Sequence, residues 1–213
     1  MGDTRDYLDW HDGYEQPGSH LHRRLQVVIR MIRRALHEIP AGPVRVVSMC
    51  AGQGADLLGA ADGNPRAHDL VGRLVELDPR NVELARLRID ELALEDRLEV
   101  IEADASVSDV YADVVPADLV LACGIFGNIS DADVERTVRF LPSLCARGAW
   151  VLWTRHPQDP VLYENLQGWL EDAGLEAVEL ETASDTFYGV GLNRLVVEPP
   201  PFELGQHLFT FTR

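Results

Sequence analysis

Two glycines, Gly52 and Gly54, follow directly on the β-branched run Pro43-Val-Arg-Val-Val-Ser-Met-Cys50. Glycines at the end of a strand let backbone N–H groups approach a ligand and tolerate positive φ. Glu76 comes roughly 20 residues later, a spacing at which an acid suits the two hydroxyls of a ribose. Asp78 stands beside it, and Asp104 closes a third apolar run. A glycine turn plus a ribose acid indicates a nucleoside cofactor. A nicotinamide dinucleotide would need a third glycine for close helix packing and a helix N-terminus for its pyrophosphate. Here Leu57 takes the place of that glycine, and Asp56 puts negative charge in the first helical turn.

These residues need elements to position them. Leu21, Leu25, Val28, Ile32, Leu36 and Ile39 recur at helical spacing, and Pro40 and Gly42 stop the helix. Arginines at 23, 24, 30, 33 and 34 occupy its other face. Strands are expected at Pro43–Cys50, Leu70–Leu77, Leu98–Ala103, Asp118–Cys123 and Ala149–Thr154. Asp78-Pro79, Ser130 and Asp159-Pro160 read as helix starts, and Gly174 as a helix end. Glu176–Glu181, Phe187–Val197 and Gln206–Thr212 read as further strands with no helices between them. Alternating strands and helices imply a Rossmann-like, doubly wound, mostly parallel α/β sheet of seven strands. The helix-free tail adds an antiparallel C-terminal region. Residues 1–42 form an N-terminal arm and helical cap, and residues 43–213 the α/β domain, in one globular unit. Ligands of such sheets bind beyond the carboxyl ends of the strands. The strand exits therefore carry the candidate site.

Composition narrows the chemistry. The 213 residues include 35 acids and 19 basic residues, for a formal net charge of −16, and every basic residue is arginine. Without lysine there is no Schiff-base lysine and no phosphate-binding Walker lysine. The anionic balance argues against nucleic acid as a partner. Cys50, Cys123 and Cys145 show no CxxC pair or metal spacing, so no metal is expected, and they read as reduced thiols of a cytoplasmic protein. No signal peptide or membrane span is expected; the longest nearly apolar stretch, Ala117–Ile129, is too short to cross a bilayer. Rich Arg, Ala, Leu and Asp usage fits a GC-rich bacterial genome.

Over about residues 43 to 182 the chain resembles a class I S-adenosylmethionine-dependent methyltransferase. The glycine motif of that family has an acid followed by three glycines at alternate positions. Here it reads Ser48-Met-Cys50-Ala-Gly52-Gln-Gly54, with Ser48 replacing the acid and Cys50 the first glycine. The resemblance implies cofactor contacts at Ser48, Ala51, Gly52, Gln53 and Gly54. It assigns Glu76, with Leu77 beside it, to the ribose, and Asp104 and Ala105 to the adenine amino group and ring nitrogen. It places Cys123 and Gly124 near the reacting methyl. Asp78 competes for the ribose, although its helix-cap role already explains it.

Methyl transfer from a sulfonium is an in-line displacement from an activated donor, so the protein mainly positions reactants and excludes water. The expected acceptor is a small molecule methylated at oxygen or nitrogen. His156, just past the fifth strand, is the first candidate for general base or acceptor contact, and His11 in the N-terminal arm the second. Tyr14, Phe126, Asn128 and Trp153 are candidate acceptor contacts; Asn128 also fits the approach to the Ser130 cap, and core packing would equally suit the aromatics. The cysteines read as buried fillers. The arginine face reads as solvated; it would also suit an acidic acceptor, or the acidic bulk of a second subunit in a homodimer. The alternatives are an NAD(P)-dependent oxidoreductase and a non-catalytic cofactor-binding protein of methyltransferase-like fold.

Overall fold

The computed structural model describes residues 18–156, 160–183 and 188–212. His11, Trp10, Tyr14, Asp159 and Phe187 lie outside them. Seven strands form one sheet in the order β3-β2-β1-β4-β5-β7-β6. They are β1 (Val44–Met49), β2 (Leu70–Glu76), β3 (Leu98–Glu102), β4 (Ala117–Ala122), β5 (Cys145–Arg155), β6 (Leu175–Ala183) and β7 (Tyr188–Leu195). Strands β1 to β5 pair in parallel, and β7 runs antiparallel between β5 and β6. The order reverses between β1 and β4, so the topological switch point lies at their carboxyl ends.

The pleat sorts side chains between two cores. Val46, Leu119, Leu121 and Leu152 face one core, with helices α1 (His20–Glu38), α2 (Ala55–Ala61) and α3 (Pro79–Glu91). Val47, Val120, Val151 and Trp153 face the other, with α4 (Asp131–Leu144) and α5 (Pro160–Asp172). Helix starts follow their cap chemistry. Ser19 Oγ accepts from His22 N at 3.0 Å, Asp78 Oδ1 from Arg80 N at 2.9 Å and Ser130 Oγ from Asp133 N at 3.2 Å. Gly174, at φ 75°, follows α5 as expected of a helix-ending glycine. The end of α1 is held from a distance: Arg66 donates to the carbonyls of Leu36, Ile39, Pro40 and Gly42.

The arginine face of α1 is a docking surface within the chain. Arg30 meets Glu181 at 2.5 Å and also pairs with Glu179; Arg34 reaches Glu179 at 2.6 Å. Both acids lie on β6. Arg33 donates to the carbonyls of Gly59, Ala60 and Asp62 at the end of α2. The face is solvated, with Arg30 half exposed, and folding also supplies it with acidic partners about 145 residues away in sequence.

Gln206–Thr212 is not an eighth strand. It is an extended strap with two isolated bridges, Val107 with His207 and Ile129 with Phe211. Its partners are the loops after β3 and β4, which run too briefly alongside it for a ladder. Leu208 N donates to Ser106 O and Thr212 N to Asn128 O, both at 2.8 Å. Thr210 N donates to the Asp133 carboxylate at 3.2 Å. Among the described residues no helix is long and apolar enough to cross a membrane.

Candidate active site

A cavity of about 760 Å³ opens at the carboxyl ends of β1 to β4, across the switch point. It is roofed from both faces of the sheet. Arg24, Leu25 and Val28 of α1 line it from one side, and His207, Phe209, Thr210 and Phe211 of the strap from the other.

At the exit of β1 the chain turns sharply. Cys50 has φ 50° and Gly52 φ 56°, both in the left-handed region. Cys50 thus keeps a backbone shape that glycine adopts freely, at a steric cost of about 1 kcal/mol for its Cβ. Gly54 (φ 69°) caps α2; a Cβ there would come within 2.8 Å of Leu58 and 2.9 Å of Leu74. Leu57, next along α2, is fully buried in the core.

Glu76 ties two strand exits together. One carboxylate oxygen accepts from Gly52 N at 2.7 Å and the other from Asp78 N at 2.9 Å. These bonds fix its rotamer and leave lone pairs for further donors. Beyond β3, Asp104 accepts from Ser106 N at 2.9 Å in a local turn. The Tyr111 hydroxyl donates to Ala105 O at 2.6 Å and holds that turn from the core side. Ser106 Oγ is buried on the cavity wall and has no hydrogen-bond partner among the described residues. Beyond β4, Gly124 N donates to Thr154 Oγ1 at 2.8 Å, and Asn128 Nδ2 to Gly124 O at 2.7 Å.

The structure brings Ala51, Gly52, Glu76, Leu77, Asp104, Ala105, Cys123, Gly124 and Asn128 to this one wall. Leu77, 65% exposed, presents an apolar surface beside Glu76. Ser48, Gln53 and Gly54 are adjacent in sequence but off the wall. Ser48 is buried, on the same side of the pleat as Val44 and Val46. Gln53 donates to Asn81 Oδ1 at 3.4 Å.

The expectation of Phe126 and Trp153 as acceptor contacts meets a different placement. Both are buried in the core beneath the sheet, 6.5 Å apart between ring centres. Trp153 donates to Asn193 Oδ1 at 2.8 Å. Its neighbour Thr154 takes the opposite side of the pleat and reaches the cavity. His156 is half-buried past β5 and is not on the cavity wall; burial, then the Arg155 charge, lowers its pKa. Among the described residues, the histidine that lines the cavity is His207.

Sequence reading missed Arg24, Asp56, Ser106, Thr154 and the strap as wall residues. The alternation of His207, Phe209 and Phe211 was a usable signal, since period-two spacing puts the three on one side of an extended chain.

Burial holds all three cysteines protonated. Desolvation pushes Cys50 well up, helped by the Glu76 and Asp104 charges, and Cys123 likewise, with Asp56 adding to the effect. Cys145 is pushed up to about 12 by desolvation. None is poised as a nucleophile. Iodoacetamide at neutral pH is therefore expected to leave the native protein unmodified, and to modify all three thiols once urea unfolds it. Mass spectrometry reads the outcome, and rapid native labelling of Cys50 would contradict it.

Fold and site together define a Rossmann-like, doubly wound α/β sheet with a cavity of about 760 Å³ at its switch point. No family model and no curated protein matches the sequence. Solved structures match the fold. Magnesium protoporphyrin IX methyltransferase from Synechocystis, with S-adenosylhomocysteine bound, superposes with a TM-score of 0.67 at 12% identity, over 88% of this chain and 93% of that one. An O-methyltransferase family protein from Burkholderia thailandensis gives 0.59 at 16% identity, over 88% and 69%. The cyclase SpnF gives 0.63 at 14%, over 85% of each chain. At such identities the likeness establishes the fold, and one fold hosts several chemistries.

Proposed function

We propose that the chain is an S-adenosylmethionine-dependent methyltransferase acting on oxygen or nitrogen of a small molecule. The observation that carries this reading is the row of acids at successive strand exits on one cavity wall, Glu76 after β2 and Asp104 after β3. The residues fit such a cofactor on two further counts. Ser106 Oγ is an orphaned polar atom on the wall, and a Cβ built on Gly124 would meet nothing within 4 Å.

Glu76 has lone pairs left for two ribose hydroxyls while its other two are held by Gly52 and Asp78. Asp104, anchored at one oxygen by Ser106 N, would accept from the adenine amino group. Asp78 is spoken for as the cap of α3 and as the partner of Arg80. When bound, S-adenosylmethionine supplies a methyl group already activated by its sulfonium, so the residues' task is to orient the acceptor and exclude water. The roof of α1 and the strap serves that exclusion. Asn128 and Phe211 are the proposed acceptor contacts, Phe211 being 41% exposed on the wall. An acceptor that must lose a proton has His207 as the imidazole on the described wall. The acidic surroundings favour a neutral or cationic acceptor.

Asp56 in the first turn of α2 weighs against a dinucleotide, since it would face the pyrophosphate. Calorimetry tests the reading. S-adenosylhomocysteine is expected to bind the purified protein and NAD not to bind. Tight NAD binding without S-adenosylhomocysteine binding would overturn it.

A further inference from the structure

Strand order ranks the polar groups along the cavity. Asp104 follows β3, Glu76 follows β2, Gly52 follows β1 and Cys123 follows β4, and the strands lie side by side in that order. The first two acids suit a ring and a ribose. The β1/β4 end carries a different pair. Asp56, from the first turn of α2, lines it, and Arg24 of α1 lines it from the roof.

Asp56 sits in the first turn of α2 and lines the cavity. Its Oδ1 accepts from the N–H of the adjacent Leu57 at 2.7 Å, and the Cys123 thiol lies close by. Its carboxylate is desolvated, which raises its pKa, and the Arg24 charge acts in the opposite direction. A desolvated carboxylate is costly unless it meets a positive partner. An acid and a guanidinium on one short stretch of wall match a zwitterion, the acid facing an ammonium and the guanidinium a carboxylate. Adenine, ribose and amino acid is also the order of groups in S-adenosylmethionine.

We propose that Asp56 and Arg24 form the amino-acid end of the cofactor site, Asp56 receiving the ammonium and Arg24 the carboxylate. This rests on the cofactor reading above and adds to it two residues that the glycine motif does not contain. It gives α1 a part in binding as well as in roofing the cavity. It also relocates the acidic group: Ser48 stands where an acid would otherwise sit, and Asp56 supplies one from the next element.

Two probes separate this inference from the reading it rests on. S-adenosylhomocysteine carries the amino-acid group; 5′-methylthioadenosine keeps adenine, ribose and thioether but lacks it. Calorimetry on the full chain is expected to show both binding to the unaltered protein. Asp56→Asn keeps an oxygen for Leu57 N–H and removes the charge, and Arg24→Gln removes the guanidinium. Each is expected to weaken S-adenosylhomocysteine roughly tenfold to hundredfold and to leave 5′-methylthioadenosine within about twofold. Equal weakening of both probes, or unchanged S-adenosylhomocysteine binding, overturns the assignment while leaving the nucleoside site in place. Unaltered protein that binds neither probe overturns the cofactor reading and this inference together.

Discussion

Glu76→Ala is expected to abolish measurable S-adenosylhomocysteine binding and to lower thermal stability in the same variant. Both effects follow from one carboxylate with two duties. It accepts from Gly52 N and Asp78 N, and so pins the loops after β1 and β2 at a fixed separation. Removing it strands the Gly52 N–H of a buried residue, which costs about 1–3 kcal/mol. It also removes the acceptor proposed for both ribose hydroxyls. Two charge-assisted hydrogen bonds at about 1.5–3 kcal/mol each amount to a loss of roughly a hundredfold or more in affinity. Asp78→Ala is the control. That side chain caps α3, so its loss should cost about 1 kcal/mol of stability and leave affinity nearly unchanged. Calorimetry and thermal melts on the two variants separate the roles. A Glu76→Ala protein that binds S-adenosylhomocysteine like the original would remove Glu76 from the site.

Phe209→Ala is expected to be the most destabilising single change in the strap, by roughly 3–5 kcal/mol. Phe209 is 1% exposed, packs with the core beneath the sheet and meets the Phe211 ring edge-on at 5.4 Å. At about 2–4 °C per kcal/mol for a chain of this length, the melting temperature should fall by about 10 °C. The strap holds itself down by backbone bonds to Ser106 and Asn128. Loosening its buried anchor therefore also opens the cavity wall, and cofactor affinity should fall with stability. Phe211→Ala separates the two effects. Phe211 is half out of the core, so its loss should spare stability and report on acceptor binding alone. A Phe209→Ala protein with an unchanged melt would show that the strap is not part of the cooperative fold.

Much of this was legible from local chemistry. Ser130 and Asp78 announce their helices because a side-chain oxygen followed by helix-forming residues satisfies orphan N–H groups nearby. The sheet was readable from β-branched runs alternating with helical stripes. The acids of the cavity wall, Glu76 and Asp104, were readable because they stand at or just past the ends of β-branched runs. Boundaries shifted by a few residues, as at β5, which starts at Cys145 because α4 runs straight into it. The aromatics illustrate the limit. Trp153 and Thr154 are neighbours, yet the pleat sends the first into the core and the second to the cavity. Which face of β5 meets the site depends on how β4 and β5 register, and no residue in β5 states it.

The sequence alone determined the order of elements, the glycine turn, the acids at strand exits and the absence of lysine chemistry. These are properties of short stretches, set by propensity, capping and pattern. Tertiary structure alone decided what encloses the cavity. Four arginines of α1 divide between Glu179 and Glu181 on β6 (Arg30, Arg34), the end of α2 (Arg33) and the cavity itself (Arg24). The tail from His207 to Phe211 becomes a wall because it docks on loops about 80 to 100 residues earlier. Such contacts form only when the sheet brings distant strand ends to one edge, so their partners leave no mark in the local sequence.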